Sequence, residues 1–241
     1  MVALNQLNLP EINISQQRGY RLINSKYPPI ALFDDVADEQ DFEALYALQA
    51  LTNPRLKKVA GDLDRLPAGD IPFGIPGCSY AVAPFTHVNV QGSRFSDGSF
   101  GILYIADEMA TALAEVTYHQ ERYWQLIEGL KYDRLVMRGL LFIFDAGPAY
   151  DAGGLPASDP IYHPDDYAAA RALGQQLKTG GSAALRYRSV RHPGAVCWGL
   201  FTPRGVRSVQ QSAHYELIWD GSCIAKIAKI VSTPYRPGER R

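Results

Sequence analysis

The chain has 241 residues, of which 46% are hydrophobic and 20% charged, a composition typical of a globular protein with a substantial buried core. Its formal net charge of −1 gives no overall attraction for nucleic acid or for an acidic membrane surface. The longest apolar runs, such as LLFIF at 140–144, are too short to cross a bilayer. We therefore expect a globular protein that binds neither nucleic acid nor membranes directly.

The cysteines and histidines indicate neither a disulfide framework nor a metal site. Cys78, Cys197 and Cys223 are too few and too widely spaced for a disulfide framework or a zinc site. The histidines form no HxH or HxxxH pair, so no metal is predicted. Residues 1–20 have neither the basic start nor the apolar stretch of a secretory signal, and together these features predict a reducing, cytoplasmic location.

The N-terminal third predicts one helix and one long loop. Apolar residues recur at helical spacing over 38–52, behind an acidic start. Glycines and prolines over 61–80 predict a surface loop. We expect a single domain over 1–241, with 1–80 as a helical and loop extension of a core at 81–223.

The middle of the chain predicts a strand followed by a helix. GILYIA at 101–106 is a compact apolar strand. Asp107 stands where an N-cap belongs, and helical spacing continues over 108–128 until Gly129.

The remaining elements alternate without a regular βαβ rhythm. A buried strand is predicted over 134–147, a helix over 165–181, and a strand, turn and strand over 184–203. An Asp-Gly pair at 220–221 predicts a hairpin turn near the end. This pattern predicts the α+β class, with mixed or antiparallel sheets flanked by helices, rather than a doubly wound sheet.

Generic catalytic motifs do not identify a site. The chain has no glycine loop in a strand-to-helix context and no GxSxG elbow. On the predicted helix, Glu115 and His119 share the flank of the apolar face, one turn apart. A flank carboxylate is usually half-solvated, yet the small neighbours of Glu115 leave room for a ligand. The residues alone leave both interpretations open.

Four other polar residues are equally ambiguous by themselves. Arg94 lies in a polar turn, where arginine is usually a surface residue, and Ser189 ends a predicted strand. Arg21 lies between apolar residues in a candidate first strand, where its guanidinium needs an acid, a carbonyl or an anionic ligand. Tyr104 fits a core position whose hydroxyl needs one partner.

Considered together, several blocks of the sequence resemble the RES-domain family. SRFSDGSFGILYIADEMATALAEVTYH (93–119) resembles its core signature, and YRSVRHPGAVCWGLF (187–201) resembles its second block. YRLINSKYPPIALFDDV and LTNPR are similar to the N-terminal part of longer members, and YELIWDG to their end. The resemblance covers the chain from about Tyr20 to Gly221. One departure is Arg188, where proline is common.

The resemblance implies a fold and an activity. RES proteins are toxins of bacterial toxin–antitoxin pairs, with a fold like that of diphtheria-toxin-type ADP-ribosyltransferases, and they consume NAD+ as substrate. Glu115 and Ser189 match the Glu and Ser of the family name, while Arg21 and Arg94 are both candidates for its essential arginine. An Xre-like helix-turn-helix antitoxin is the implied partner, and an ADP-ribosylated target protein is a further one.

The implied chemistry assigns a role to each residue. Glu115 would stabilise the oxocarbenium-like ribose as the nicotinamide bond breaks. Arg21 and Arg94 would bind the pyrophosphate, and Tyr104 would stack on or shape the pocket for nicotinamide. Ser189 would hydrogen-bond the substrate or position Glu115. No metal is needed.

Three questions stay open at this stage. The sequence does not distinguish degradation of NAD+ from transfer of ADP-ribose to a protein. It also leaves an alternative of another class, a catalytically degenerate module whose main role is to hold a partner protein. Homodimer formation is likewise undetermined by the sequence.

Overall fold

The computed structural model describes residues 9–26 and 62–231, which contain seven strands and three α-helices. The helices are α1 (Cys78–Thr86), α2 (Met109–Gln125) and α3 (Ala168–Thr179). The strands are β1 (Glu11–Asn24), β2 (Leu103–Ala106), β3 (Asp133–Asp151), β4 (Ala184–Arg188), β5 (Val196–Leu200), β6 (Val206–Trp219) and β7 (Ile224–Ile230). The helix predicted over 38–52 lies outside the described residues.

The long strand β3 organises the sheet. It pairs antiparallel with β1 from Met137 to Tyr150. On its other side it pairs with β6 over its first part and, in parallel, with β4 over 149–151. The pairings of β1 with β2, β2 with β5 and β5 with β4 close a ring of five strands, from which β6 and β7 extend. The sheet is mixed and mostly antiparallel, which confirms the predicted α+β class.

Strand β1 belongs to this ring although it falls within the predicted N-terminal extension. Its Tyr20 pairs with Ala106 of β2, and the same residue pairs with Leu141 of β3 on the other side. Gly19 allows the close approach, because a Cβ there would overlap the side chain of Ile105. The strand therefore carries Arg21 into the centre of the domain.

The helices cover the two faces of the sheet. Phe142 and Phe144, two residues apart on β3, lie on the same face of the sheet and in the same core. Helix α1 covers this core with Val82 and Phe85. The other core lies under α2 and α3. There Trp124 contacts Trp219 with ring centroids 5.7 Å apart.

The boundaries of α2 correct one expectation. Asp107 is not its N-cap, since the helix begins at Met109 with Glu108 in the cap position. The Asp107 carboxylate instead accepts hydrogen bonds from the backbone N–H groups of Glu108 (2.8 Å) and Val196 (2.7 Å). Asp107 thereby joins the start of α2 to β5. The helix ends at Gln125, before Gly129, whose φ of 73° turns the chain toward β3.

Helix α1 was missed by the sequence patterns. The predicted loop over 61–80 contains two short 3-10 turns, but α1 already begins at Cys78. Gly77 precedes it in the left-handed region (φ 73°), and Pro84 lies inside it. Glycine and proline usually punctuate loops, so the pattern here resembled one. None of the helices in the described part of the chain is long and apolar enough to span a membrane.

Packing of α3 against the turn that carries Arg94 gives a test of the fold. A Cβ on Gly174 would overlap the carbonyl oxygen of Phe95. Gly174→Ala should cost about 1–3 kcal/mol through overpacking, partly offset by about 1 kcal/mol of helix propensity. The net loss of up to about 2 kcal/mol should lower the unfolding temperature by up to about 8 °C. Gly154→Ala, which meets open space, should leave it unchanged, and an equal fall in both variants would contradict this packing.

Candidate active site

A cleft of about 660 Å³ lies between β1, β2, α2 and the loop that precedes α3. Four of the five residues singled out in the sequence line it, namely Arg21, Arg94, Tyr104 and Glu115. A second cavity, of about 690 Å³, lies elsewhere and includes Asp145, Lys178 and Arg207. None of the predicted site residues lines that second cavity. We therefore place the candidate active site in the first cleft.

Ser189 lies behind the carboxylate of Glu115. Its Oγ donates to Glu115 Oε1 at 2.6 Å. The same Oγ accepts from the backbone N–H groups of Arg191 (3.2 Å) and His192 (3.0 Å). Because a serine hydroxyl has one proton, those two N–H groups leave that proton to the carboxylate. Of the two roles expected for Ser189, this geometry supports positioning of Glu115, since Ser189 is buried and does not line the cleft.

A second side-chain contact joins the same two elements. Thr111, one turn before Glu115 on α2, is fully buried, and its Oγ1 lies 2.9 Å from Nδ1 of His192. The turn between β4 and β5 is thus bonded to α2 at two points. Sequence patterns did not single out Thr111 or His192, because their meeting depends on the sheet that places the turn over the helix.

Arg21 is a cation at the base of the cleft without a carboxylate partner in the described part of the chain. Its Nη1 donates to the carbonyl oxygen of Tyr104 at 2.9 Å. Burial lowers the pKa of Arg21, against the opposing influence of Tyr104 and Tyr187. An arginine stays charged at neutral pH even so. A charge in this position is unfavourable until a counterion arrives, so the geometry favours an anionic ligand.

Tyr104 supports the turn that bears Arg94. Its hydroxyl is 2.7 Å from Ser93 Oγ and accepts from the backbone N–H of Phe95 at 3.0 Å. Burial raises the pKa of Tyr104 to about 12, so the hydroxyl stays protonated at neutral pH. The hydroxyl is therefore committed to the turn, and the ring forms part of the cleft wall.

Arg94 contacts the loop before α3. Its Nη1 donates to the carbonyl oxygens of Ile161 (3.2 Å) and His163 (2.9 Å). The guanidinium also lies over the ring of Tyr167, 4.5 Å from its centroid. The family resemblance implied an anion-binding arginine here. The structure adds a second task, because Arg94 fastens this loop to the cleft that it lines.

Side chains of α2 and the β4–β5 turn hold the same loop. Tyr118 Oη donates to Asp165 Oδ1 at 2.5 Å, and Arg122 forms an ion pair with that carboxylate. Arg191 donates to the carbonyl of Pro164 and lies over the Tyr118 ring, 3.3 Å from its centroid. Sequence analysis missed this network, whose members lie in three separate stretches of the chain.

Arg188, at the position where proline is common in the family, also holds this loop in place. Its Nη2 donates to the carbonyl of Leu155, and its guanidinium lies 4.8 Å from the centroid of the Tyr162 ring. A proline could make neither contact. The arginine therefore anchors the start of the loop that Arg94 and Arg191 hold further along.

The cleft carries a positive charge that the whole chain lacks. Four arginines line it, together with two carboxylates, so its lining carries two net positive charges. One of the carboxylates, Asp165, is already paired with Arg122. This local field favours an anionic ligand although the chain has a formal charge of −1. In the described part of the chain, no group of three or more His, Cys, Asp or Glu side chains is placed to hold a metal ion.

Comparisons with known proteins agree with the sequence blocks. The model of the RES domain matches residues 71–220. The uncharacterised protein y4oC of Sinorhizobium fredii (strain NBRC 101917 / NGR234) is 28% identical over 211 residues, which cover 86% of this chain and 84% of the relative. The solved M. tuberculosis MbcT–MbcA toxin–antitoxin complex has a chain that aligns with 12% identity and a TM-score of 0.42, over 87% of this chain and 89% of that chain.

The unpaired charge of Arg21 predicts stabilisation by an anion. Inorganic pyrophosphate should raise the unfolding temperature of the wild type, with about 2.7 kcal/mol of added stability at a hundredfold excess over Kd. Arg21→Met should remove most of this gain, because the cation without a carboxylate partner is lost and only Arg94 remains of the two arginines expected to bind pyrophosphate. Arg18→Met, on the same strand and exposed, is the control and should keep it. Equal stabilisation of both variants by pyrophosphate would contradict the assignment.

The three hydrogen bonds of Ser189 predict a loss of stability on their removal. Ser189→Ala leaves two backbone N–H groups without an acceptor, which costs about 1–3 kcal/mol. Urea unfolding monitored by tryptophan fluorescence measures this cost. Ser208→Ala serves as control, because the Ser208 side chain has no hydrogen bond in the described structure and should change stability by less than about 0.5 kcal/mol. A neutral Ser189→Ala would disprove the positioning role.

Proposed function

The chain belongs to the RES domain family, and on that premise we propose that it is the toxin of a toxin–antitoxin pair and cleaves the nicotinamide–ribose bond of NAD+. The observation that carries the proposal is the pair formed by Ser189 and Glu115, held beside a cleft with two net positive charges. A fixed carboxylate next to anion-binding cations suits a substrate with a pyrophosphate and a cleavable glycosidic bond.

Glu115 acts on the ribose. As the bond from C1′ to the nicotinamide nitrogen breaks, positive charge develops on the sugar, and the carboxylate stabilises it. Ser189 occupies Oε1, while Oε2 has no hydrogen-bond partner in the described part of the chain. Oε2 is therefore the atom that can accept a hydrogen bond from a ribose hydroxyl. Fixing one oxygen leaves the other pre-oriented, so little reorganisation is needed during the reaction.

Arg21 and Arg94 act on the pyrophosphate. Arg21 has an unpaired charge, and Arg94 uses only Nη1 for its two loop carbonyls. Planar guanidinium groups bind phosphate oxygens through paired N–H donors. The ring of Tyr104, which lines the same cleft as the two arginines and Glu115, is available to the flat nicotinamide. The arginines, the tyrosine and the carboxylate all line one cleft, as binding of a single dinucleotide requires.

The partner belongs to the proposal as well. Family resemblance supports an Xre-like helix-turn-helix antitoxin that controls the toxin, and a cytoplasmic location, where both NAD+ and such a partner are found. The acceptor of the ADP-ribose is either a small molecule, which degrades NAD+, or a target protein.

Release of nicotinamide from NAD+ tests the activity. We expect the purified protein to release nicotinamide, and Glu115→Gln to slow release by about 10²–10³-fold, because the charge that stabilises the transition state is removed. Glu128→Gln is the matched control, since Glu128 is exposed and lies beyond α2, and it should retain the wild-type rate. Liquid chromatography of nicotinamide provides the measurement.

Failure of this assay would favour the alternative module. If neither the wild type nor any variant releases nicotinamide, with or without cell extract, and Glu115→Gln still inhibits growth as the wild type does, the enzymatic function is wrong. Release without extract supports degradation of NAD+. Radiolabel from the adenylate moiety on a discrete protein band, only with extract, supports transfer.

A further inference from the structure

His119 lies in the proposed active site, but no role described above uses it. It follows Glu115 by one turn of α2 and lines the same cleft. Residues four apart on a helix have their Cβ atoms about 5–6 Å from each other. Its ring packs edge-on against Tyr118, with centroids 5.2 Å apart, and neither ring nitrogen has a hydrogen-bond partner among the described residues. The imidazole is therefore held in place with its nitrogens available.

The surroundings of His119 favour the neutral imidazole. Burial in the cleft wall lowers the pKa of His119, and the charges of Arg191, Arg94 and Arg122 lower it further, while Glu115 opposes them. The carboxylate of Asp165 on the facing loop is taken up by Tyr118 and Arg122. At neutral pH the ring can thus accept a proton. Its outer edge remains exposed to solvent, so that proton can leave.

We infer that His119 is the general base that activates the acceptor of the ADP-ribosyl group, and that this acceptor is a neutral oxygen, a water or a hydroxyl. This inference rests on the proposed function. The acceptor oxygen forms a bond to C1′ while the bond from C1′ to the nicotinamide nitrogen breaks. The electron pair of the broken bond stays on that nitrogen, and nicotinamide leaves as a neutral molecule. The acceptor proton passes to the imidazole and then to solvent.

Glu115 is poorly suited to do both tasks. One of its oxygens accepts the Ser189 hydroxyl proton, and the other is needed beside the ribose cation. A carboxylate that takes up the acceptor proton loses the charge that stabilises that cation. A second group, within one helical turn and neutral at pH 7, separates the two functions.

The test combines a substitution with an acceptor that has no proton to lose. His119→Gln should slow nicotinamide release in water by about 10²-fold or more, because general bases contribute about 10²–10⁴. Azide, an anion, needs no base, so it should restore the rate of His119→Gln and yield ADP-ribosyl azide. The wild-type rate should fall at acidic pH, where His119 becomes protonated, because burial lowers the pKa of His119, and His119→Gln should lack this acidic limb. His214→Gln, outside the cleft, should behave as the wild type.

Each other outcome overturns the inference. If His119→Gln releases nicotinamide at the wild-type rate, the reaction does not use His119 as a base. A slow His119→Gln enzyme that azide does not rescue, with the acidic limb retained, indicates only a structural role. Glu115→Gln should remain slow with azide, because its defect lies in stabilising the cation. A wild type that releases no nicotinamide refutes the proposed function and the role of His119 with it, which distinguishes that failure from the other two.

Discussion

The hydrogen bond from Ser189 to Glu115 joins residues 74 positions apart, and the candidate site depends on it. It forms only because β4 and β5 extend the sheet from β2, so that their connecting turn reaches α2. Two backbone N–H groups of that turn fix the serine, and the serine fixes the carboxylate. Side-chain orientation is thus set by backbone geometry, which is more rigid than contacts between flexible side chains alone.

The arginines of the site have two roles. Some hold the loop before α3 in place, and others supply positive charge to the cleft. Arg122 and Arg191 fasten the loop before α3, whereas Arg21 has no carboxylate partner in the described part of the chain. Arg94 belongs to both groups, since it binds loop carbonyls and lines the cleft. A ligand anion in the cleft would therefore meet Arg21, which has no carboxylate partner in the described part of the chain, and Arg94 and Arg171, which backbone carbonyls already hold in position. The unfavourable free energy of the unpaired Arg21 charge therefore arises where an anionic substrate can neutralise that charge.

Much of the fold follows from local sequence patterns. The apolar run before Asp107 and the helical spacing after it predicted β2 and α2, and the Asp-Gly pair predicted the β6–β7 hairpin. Local signals failed at α1, where Gly77 and Pro84 resemble loop residues. For the site, periodicity left Glu115 undecided, and only resemblance selected it. The Thr111–His192 contact and the tethered loop could not be predicted, because they arise from the topology of the sheet.

The most direct test of the account is a crystal structure of the Glu115→Gln protein with NAD+, in which binding persists while cleavage is slowed. The account predicts the dinucleotide in the cleft, with its pyrophosphate on Arg21 and the nicotinamide ribose beside residue 115. A dinucleotide bound instead in the cavity that includes Asp145 and Lys178, or a pyrophosphate remote from Arg21, would contradict it.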